Sequence, residues 1–454
     1  MGSGAQSFRV AFVLGGSGGE YDNIDDGIYQ EPLTIRTRTG SSLVAQTAGG
    51  GSLDLALDKN GERLTGSFHQ GRGRDSQATL VGEDKSYPVT LGRGGDYLHP
   101  RLLAAHEEQK KYTYAPPKDL SDGWATSDLG KEEADVPKIE SAVQRILRGK
   151  DPHVHALVVV KGGRLVLDEY FYGYGPEDPH PVQSVTKSLF SLLFGIAQAQ
   201  GLCRPDQRLY DLFPSYRQGR GWEPGKEGIT LCELLTMTSG LGCDDLRDPK
   251  DCSWAMVGST DWLDFSLSLP LSGAPGTHFV YCGACLMPLG AVLEKQSRTR
   301  LTDFAQRNLW DPLDIPPPAW WEGPGGEHSP AFGLSLKPRD MAKIGCLVLN
   351  KGRWKGRQVV PEKWIEQSTA VQVPRKKTGK AADYGFLWWE REVRARGKRL
   401  RVMDAWGVGG QHIFIVPAAD LVCVMTGGNY KDGALAQRSY GILQAVLEAF
   451  EPLR

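Results

Sequence analysis

Ser184 and Lys187 are three residues apart, at the front of an apolar segment that is predicted to form a buried helix. Because one helical turn takes 3.6 residues, this spacing places both side chains on one face of the helix. A lysine amine that burial and nearby positive charge keep neutral can take the proton of a serine hydroxyl and activate it as a nucleophile. At a helix N-terminus, backbone N–H groups and the helix dipole also favour a developing oxyanion. The alternative is a chance match, in which the serine caps the helix and the lysine is solvated.

The elements that must position this pair follow from hydrophobic periodicity. Strand patterns lie on both sides of a long stretch of helices and loops, which predicts an α+β fold with an antiparallel sheet, helices on its faces and a separate helical lobe. The predicted elements are an amphipathic helix over 136–147, a hairpin of strands at 156–160 and 165–167, strands at 413–416 and 421–425, and a closing helix over 441–450.

A small antiparallel β-domain is expected ahead of this fold, over residues 7–98. Leu53, Leu55 and Leu57 alternate with Asp54, Ala56 and Asp58, which is typical of a half-buried strand. The Asn60-Gly61 dipeptide that follows is a strong hairpin turn signal. Residues 1–6 resemble an expression tag, and 99–118 form a charged, proline-containing linker. The second domain is therefore predicted to span 119–454.

Composition limits the classes of partner. The chain has 53 lysines and arginines against 54 aspartates and glutamates, and it shows no basic stripe, so nucleic acid is not expected as a partner. No apolar stretch is long enough to span a bilayer. The sequence does not indicate an oligomeric state.

The eight cysteines do not have zinc-ribbon spacing, and no cofactor motif is present, so neither a metal nor a cofactor is expected. Cys243 could pair with Cys252 or with Cys282 if the protein is exported, and the sequence does not choose between them. Ala5-Gln6 would suit the start of a processed chain. A periplasmic or secreted location is therefore expected, with a cytoplasmic one as the alternative.

Five sequence blocks in a fixed order carry a resemblance to a known family. Together they are far more specific than the Ser-x-x-Lys pattern alone. Residues 119–454 resemble the serine hydrolases of the β-lactamase and penicillin-binding-protein superfamily, in particular the class C-like esterases, D-aminopeptidases and 6-aminohexanoate-dimer hydrolases. The blocks are Gln183–Ser188, Ile229–Leu241, Pro275–Tyr281 with 289–294, Leu334–Ala342 and Gly407–Gln411.

The resemblance implies a role for each matching residue. Ser184 is the nucleophile that forms an acyl-enzyme, and Lys187 deprotonates it or holds the proton network. Tyr281 matches the tyrosine of the family's Tyr-x-Asn motif, which passes a proton to the leaving group. The oxyanion hole is expected to combine the backbone N–H of Ser184 with that of Val408.

Two departures from the family pattern concern substrate binding. The asparagine two residues after the tyrosine is replaced by Gly283, which removes a side-chain amide. The lysine of the third Lys-Thr-Gly motif is also missing, since Ala405, Trp406 and Gly407 occupy that region. Without this lysine, a substrate carboxylate loses a charge-assisted contact. Gly283, Trp406 and Gly407 are thus expected to line a site for esters or neutral amides, with Trp406 as an apolar wall. The alternative for Trp406 is a plain core tryptophan.

The predicted function is hydrolysis of a small-molecule ester or amide through an acyl-enzyme on Ser184, without metal or cofactor. One alternative is a β-lactamase or a D-Ala peptidase. Another, from a different class, is a catalytically inactive scaffold that uses the fold for binding. A scaffold has no reason to bury an ionisable lysine at a cost in stability, which favours the enzyme.

Overall fold

In the computed structural model, residues 112–219, 221–246, 252–379, 382–430 and 433–450 are described, with side chains from residue 438 onward in the last range. Seven strands nearer the N-terminus are described by their backbone. They form one sheet in which each strand pairs antiparallel with the next. They are β1 (Val10–Leu14), β2 (Gly18–Asn23), β3 (Ile28–Arg38), β4 (Ser42–Thr47), β5 (Ser52–Leu57), β6 (Arg63–His69) and β7 (Ser86–Gly92).

The predicted hairpin partners β5 and β6 pair with each other, with Leu53 opposite Phe68. The Asn60-Gly61 turn and residues 1–6 lie outside the described residues. Tyr114, which falls in the predicted linker, donates its hydroxyl to the carbonyl of Val166 at 2.9 Å. Residues before 119 therefore pack against the predicted second domain. The division of the chain into domains stays a prediction.

A second seven-stranded sheet is the centre of the fold. Its order is β15-β16-β17-β18-β19-β8-β9, and all neighbours are antiparallel. Strands from the two ends of the segment thus meet in one sheet, which confirms the predicted α+β fold class. Its strands are β8 (Val154–Lys161), β9 (Arg164–Tyr170), β15 (Asp383–Tyr384), β16 (Trp389–Ala395), β17 (Lys398–Gly407), β18 (Gln411–Val416) and β19 (Leu421–Gly427).

Both faces of this sheet are covered. Successive side chains of a strand point to opposite faces. In β8, Val158 and Val160 belong to one buried cluster, whereas Leu157 and Val159 belong to the other. Such strands read as continuous apolar runs, which explains why they stand out in the sequence.

Helices lie on each face of the sheet. One face packs against the first and last helices, and the other packs against the helix that follows Ser184 and against the segment 338–349. The helices are α1 (Val136–Leu147), α2 (Val185–Ala199), α3 (Leu209–Leu212), α4 (Leu231–Leu235), α5 (Ser253–Val257), α6 (Trp262–Ser268), α7 (Met287–Ser297), α8 (Leu301–Ala305), α9 (Pro338–Leu349), α10 (Glu362–Ser368), α11 (Arg375–Thr378) and α12 (Gly433–Ala449). Within the described ranges, no helix combines the length and apolarity of a membrane span.

Between β9 and β15 the chain forms the helical lobe and a few very short strands. These strands are β10 (His180–Pro181), β11 (Ala319–Trp320), β12 (Leu334–Leu336), β13 (Arg353–Trp354) and β14 (Arg357–Gln358). β10 pairs antiparallel with β12, and this pairing fixes the segment that leads into Ser184.

Helix α2 runs through the core, and its residues from Val185 to Ala197 are buried. At Gly195 it meets α10 so closely that a Cβ would lie 2.1 Å from Cδ1 of Trp364. The indole N–H of Trp364 also donates to the carbonyl of Ser191 at 2.8 Å. Because both contacts fix α2 along its axis, they fix the residues at its N-terminus as well.

Candidate active site

Ser184 is the residue that precedes α2, as predicted. Its side chain makes no capping hydrogen bond. The residue before it, Gln183, has φ of 50°, a left-handed conformation that is uncommon for a residue other than glycine. The turn that presents Ser184 is therefore strained, and the serine does not serve as a cap.

Lys187 is buried, with 3% of its surface exposed. Its Nζ lies 2.7 Å from Oγ of Ser184 and also donates to the carbonyl of Ala331 at 3.1 Å. Burial lowers the pKa of this amine from the ordinary value of 10.5 to about 8, and the nearby Asp245 carboxylate partly offsets the shift. A capping serine with a solvated lysine is thus contradicted on both counts, and the amine is neutral in part of the population near neutral pH.

Tyr281 is buried beside this pair. The Lys187 Nζ is 4.8 Å from the centre of its ring. Burial raises the pKa of the phenol well above its usual range, while hydrogen bonding to the side chains of Ser184 and Trp389 opposes this shift. The Tyr281 hydroxyl is therefore protonated at neutral pH and faces the Ser184 hydroxyl.

The backbone around Tyr281 is held by Met237, from the second sequence block, and by Asp245, which follows that block. The N–H of Val280 donates to the carbonyl of Met237 at 2.8 Å, and the N–H of Asp245 donates to the carbonyl of Tyr281 at 2.9 Å. Met237 has φ of 58°, a second strained position next to the site. One hydrogen bond at Val280 and one at the carbonyl of Tyr281 thus fix the backbone from which the Tyr281 side chain extends.

The predicted oxyanion segment lies beside the nucleophile. Gly407, at the end of β17, approaches the turn before Ser184 so closely that a Cβ on it would lie 2.4 Å from the carbonyl oxygen of Val182. Val408 follows, with an exposed side chain. Within the described ranges, neither the Ser184 N–H nor the Val408 N–H donates to a backbone carbonyl. The geometry brings the two predicted donors into one region, and their role stays a prediction.

Trp406 belongs to a group of aromatic rings next to Tyr281. Its ring centre is 5.9 Å from that of Trp389, and Trp389 stacks on Tyr281 at 5.5 Å. Trp406 is partly exposed, which fits the predicted apolar wall. Trp389 was not predicted, because only the packed structure brings β16 beside the tyrosine.

Gly283 lies two residues after Tyr281, and its N–H donates to Oδ2 of Asp245 at 2.6 Å. Asp245 is a residue that sequence reasoning missed. It lies in a different loop, 38 positions away from Gly283, and no periodic pattern joins the two. The predicted contact of Gly283 with a substrate stays a prediction.

Two disulfides lie in the same region. Cys243 pairs with Cys252, one of the two pairings left open, and Cys282 pairs with Cys285. The sulfurs of Cys243, Cys282 and Cys285 are within 4.8 Å of one another, an arrangement that could hold a metal ion as thiolates. As disulfides they do not offer thiolate ligands.

A serine that precedes a buried helix, a buried lysine and a buried tyrosine lie near the end of β17, in an antiparallel sheet covered by helices on both faces. This arrangement is typical of the serine β-lactamase fold. The family model described as Beta-lactamase matches residues 143–447, which is more than half of the chain. The protein belongs to this family.

Two relatives are named as a hydrolase and an esterase. The chain is 25% identical to the 6-aminohexanoate-dimer hydrolase of Paenarthrobacter ureafaciens over 291 residues, which cover 59% of this chain and 71% of that enzyme. It is 30% identical to the lovastatin esterase of Penicillium rubens over 136 residues, which cover 29% of this chain and 33% of the esterase.

A solved structure from Bacillus anthracis, provisionally named a 6-aminohexanoate-dimer hydrolase, has the same fold. Its TM-score is 0.58 at 18% identity, and the match covers 74% of this chain and 88% of that chain. At this identity the likeness shows the fold alone.

Proposed function

We propose that this protein cleaves a small ester or amide through an acyl-enzyme on Ser184. The observation that carries the proposal is the 2.7 Å contact between Nζ of Lys187 and Oγ of Ser184, inside a site where the amine has a pKa of about 8. A neutral amine at hydrogen-bond distance from a hydroxyl is a general base in position.

In the proposed acylation step, the Ser184 Oγ attacks the substrate carbonyl while its proton passes to the neutral amine of Lys187. The carbonyl oxygen becomes an oxyanion, which the N–H groups of Ser184 and Val408 stabilise. As the C–O or C–N bond breaks, Tyr281 donates its proton to the leaving group and regains one from Lys187. Water then hydrolyses the acyl-enzyme and restores the serine.

Trp406 and Gly283 support an ester or a neutral amide as the substrate. Trp406 lies in the region where the family's third motif carries a lysine for a substrate carboxylate, so an anionic substrate finds an indole there and lacks that cation. The relatives, a 6-aminohexanoate-dimer hydrolase and a lovastatin esterase, act on an amide and an ester by their names. We therefore expect slow turnover of cephalosporins compared with short acyl esters.

The test is hydrolysis of short p-nitrophenyl acyl esters by the wild type and by Ser184→Ala. We expect the variant to lose activity by a factor of ~1,000 or more, because the nucleophile is removed. Ser191→Ala is the matched control, since Ser191 is a buried serine of the same helix whose hydroxyl makes no hydrogen bond within the described residues. Its activity should equal that of the wild type.

Two further assays separate the alternatives. A fluorophosphonate probe should label the wild type and not Ser184→Ala, whereas an inactive scaffold would not be labelled at all. A chromogenic cephalosporin should be hydrolysed much more slowly than the esters, and the reverse order would indicate a β-lactamase. Ester hydrolysis that survives in Ser184→Ala would refute the nucleophile assignment.

A further inference from the structure

The space where the family's asparagine side chain would stand is occupied in this protein. A Cβ built on Gly283 would lie 2.9 Å from Oδ2 of Asp245 and 2.7 Å from Oγ of Ser253. Real Cβ atoms do not approach other atoms this closely, so an asparagine at position 283 would have to displace both groups. The glycine and the Asp245 carboxylate therefore belong together.

Three hydrogen bonds hold the Asp245 carboxylate in place. Oδ2 accepts from the N–H of Gly283 at 2.6 Å and from Oγ of Ser253 at 2.9 Å, and Oδ1 accepts from the N–H of Ser253 at 3.1 Å. Each oxygen thus accepts a backbone N–H, which an amide side chain could not do with both of its terminal atoms.

The loop of Asp245 is joined to the catalytic groups by its backbone. The N–H of Asp245 donates to the carbonyl of Tyr281 at 2.9 Å, and the Tyr281 ring centre is 4.8 Å from Nζ of Lys187. Asp245 raises the pKa of Lys187 and, together with burial, that of Tyr281. Tyr384 is the other titratable group against Tyr281, and its buried phenol has a pKa raised well above the usual range. Among the described groups that shift the pKa of Lys187, Asp245 is the one charged side chain, so it is the available counter-charge for a protonated amine.

We propose that Asp245 takes the place of the missing asparagine and acts as the electrostatic positioning residue of Lys187. This inference rests on the proposed function for its catalytic meaning. When Lys187 takes the serine proton, an ammonium ion forms in a buried site, and a carboxylate nearby stabilises it. An asparagine amide would instead offer N–H donors to a substrate carbonyl. With Asp245 in place of the asparagine, the site thus loses a contact with the substrate and gains an electrostatic interaction with the base Lys187.

The experiment compares Asp245→Asn with the wild type by two readouts. The first is the titration of the Lys187 side chain in protein with ¹³C-labelled lysine, in which the Lys187 signal is identified by its absence from Lys187→Met. The second is the pH profile of kcat/KM for p-nitrophenyl ester hydrolysis, whose acid limb reports the base of the free enzyme. Both should move to lower pH by about one unit in Asp245→Asn, because an opposite charge has been removed.

Asp261→Asn is the matched control. Asp261 also lies in the lobe and accepts the N–H of Asp264 at 2.8 Å at the start of α6, but it does not shift the pKa of Lys187. Gly283→Ala is the second variant, and it keeps the carboxylate while its Cβ pushes Oδ2 away. It should move the Lys187 titration in the same direction, and it keeps the test valid if Asp245→Asn does not fold.

The outcomes separate this inference from the proposed function. A folded Asp245→Asn with an unmoved Lys187 titration would overturn the inference and leave Asp245 as a structural residue of the loop, with a lower melting temperature as its only effect. A moved titration supports the inference whatever the reaction. Ester hydrolysis that persists in Ser184→Ala would overturn the proposed function alone, because the NMR titration does not depend on activity.

Discussion

The backbone of Gly407 lies against the backbone of Val182, so that a Cβ on the glycine would be 2.4 Å from the Val182 carbonyl oxygen. Val182 is two residues before Ser184, and Gly407 is one residue before Val408. This single contact joins the end of β17 to the turn that presents the nucleophile. It sets the distance between the two predicted oxyanion donors.

Gly407→Ala should therefore lower activity more than stability. The methyl group must push β17 away from the turn, and the Val408 N–H moves with it, so we expect kcat/KM for ester hydrolysis to fall ~100-fold or more. Gly441→Ala is the control, because a Cβ at Gly441 meets nothing within 4 Å. Unchanged activity in Gly407→Ala would show that this segment does not carry the donor.

The pH dependence of activity follows from Lys187. Since the neutral amine is the proposed base and its pKa is about 8, kcat/KM should rise with pH through about pH 8 and level off above it. The measurement is ester hydrolysis between pH 6 and pH 10, corrected for the uncatalysed rate. An activity that is flat across this range would show that Lys187 does not act as the base.

The same lysine should cost stability at neutral pH. Its pKa of about 8 in the folded protein lies below the ordinary value of 10.5, so the unfolded chain binds more protons between these values and stability rises with pH there. Lys187→Met should then be inactive but more stable than the wild type by about 1–3 kcal/mol at pH 7. Denaturant unfolding at several pH values checks this, and the gain should vanish above about pH 10.5. A loss of stability at pH 7 would contradict it.

Much of the fold could be predicted because most of its helices and strands have a clear hydrophobic pattern within their own sequence. Helix α1 has the predicted bounds, the hairpin of β8 and β9 and the pair of β18 and β19 are where the apolar runs indicate, and Ser184 precedes α2. The hairpin of β16 and β17 was missed. Charged residues on both strands, such as Arg391, Glu392 and Arg401, hide its alternation, and its turn is Arg396-Gly397 with positive φ at both residues.

The site residues likewise divide into those that the local sequence identifies and those that only the packing of distant segments brings together. Ser184 and Lys187 could be paired from sequence because one helical turn joins them. Tyr281, 97 positions after Ser184, was placed only through the family resemblance. Asp245 could not be found, since its meeting with Gly283 depends on how two loops pack. The tripeptide Lys377-Thr378-Gly379 also spells the third motif, but it lies in α11 and the residue after it, beside the edge strand β15, with the lysine exposed.

Tyr281→Phe should affect substrates according to their leaving groups. Burial keeps the phenol protonated, so its loss matters most where the leaving group needs a proton. We expect kcat/KM to fall ~100-fold or more for an alkyl amide and less than ~10-fold for a p-nitrophenyl ester, whose phenolate leaves unprotonated. Tyr384→Phe is the control, since its ring centre lies 6.3 Å from that of Tyr281. Equal losses on both substrates would contradict proton donation by Tyr281.

The disulfide between Cys243 and Cys252 closes the loop that carries Asp245. Opening it should free the Asp245 carboxylate from Gly283 and Ser253. Removing a disulfide that closes so short a loop costs about 2–3 kcal/mol by the chain-entropy estimate. Both cysteines must be replaced together, because Sγ of Cys252 lies 3.9 Å from Sγ of Cys282 and a lone thiol there could exchange with the second disulfide.

The variant Cys243→Ala/Cys252→Ala should therefore show a lower melting temperature together with a Lys187 titration moved toward lower pH, the direction expected for Asp245→Asn. Cys203→Ala is the control, since Cys203 is a buried free cysteine whose Sγ contacts the carbonyl of Phe194. It should lower the melting temperature without moving the titration. If the double variant loses stability but keeps the wild-type titration, the loop holds Asp245 in place without the disulfide, and the bond serves stability alone.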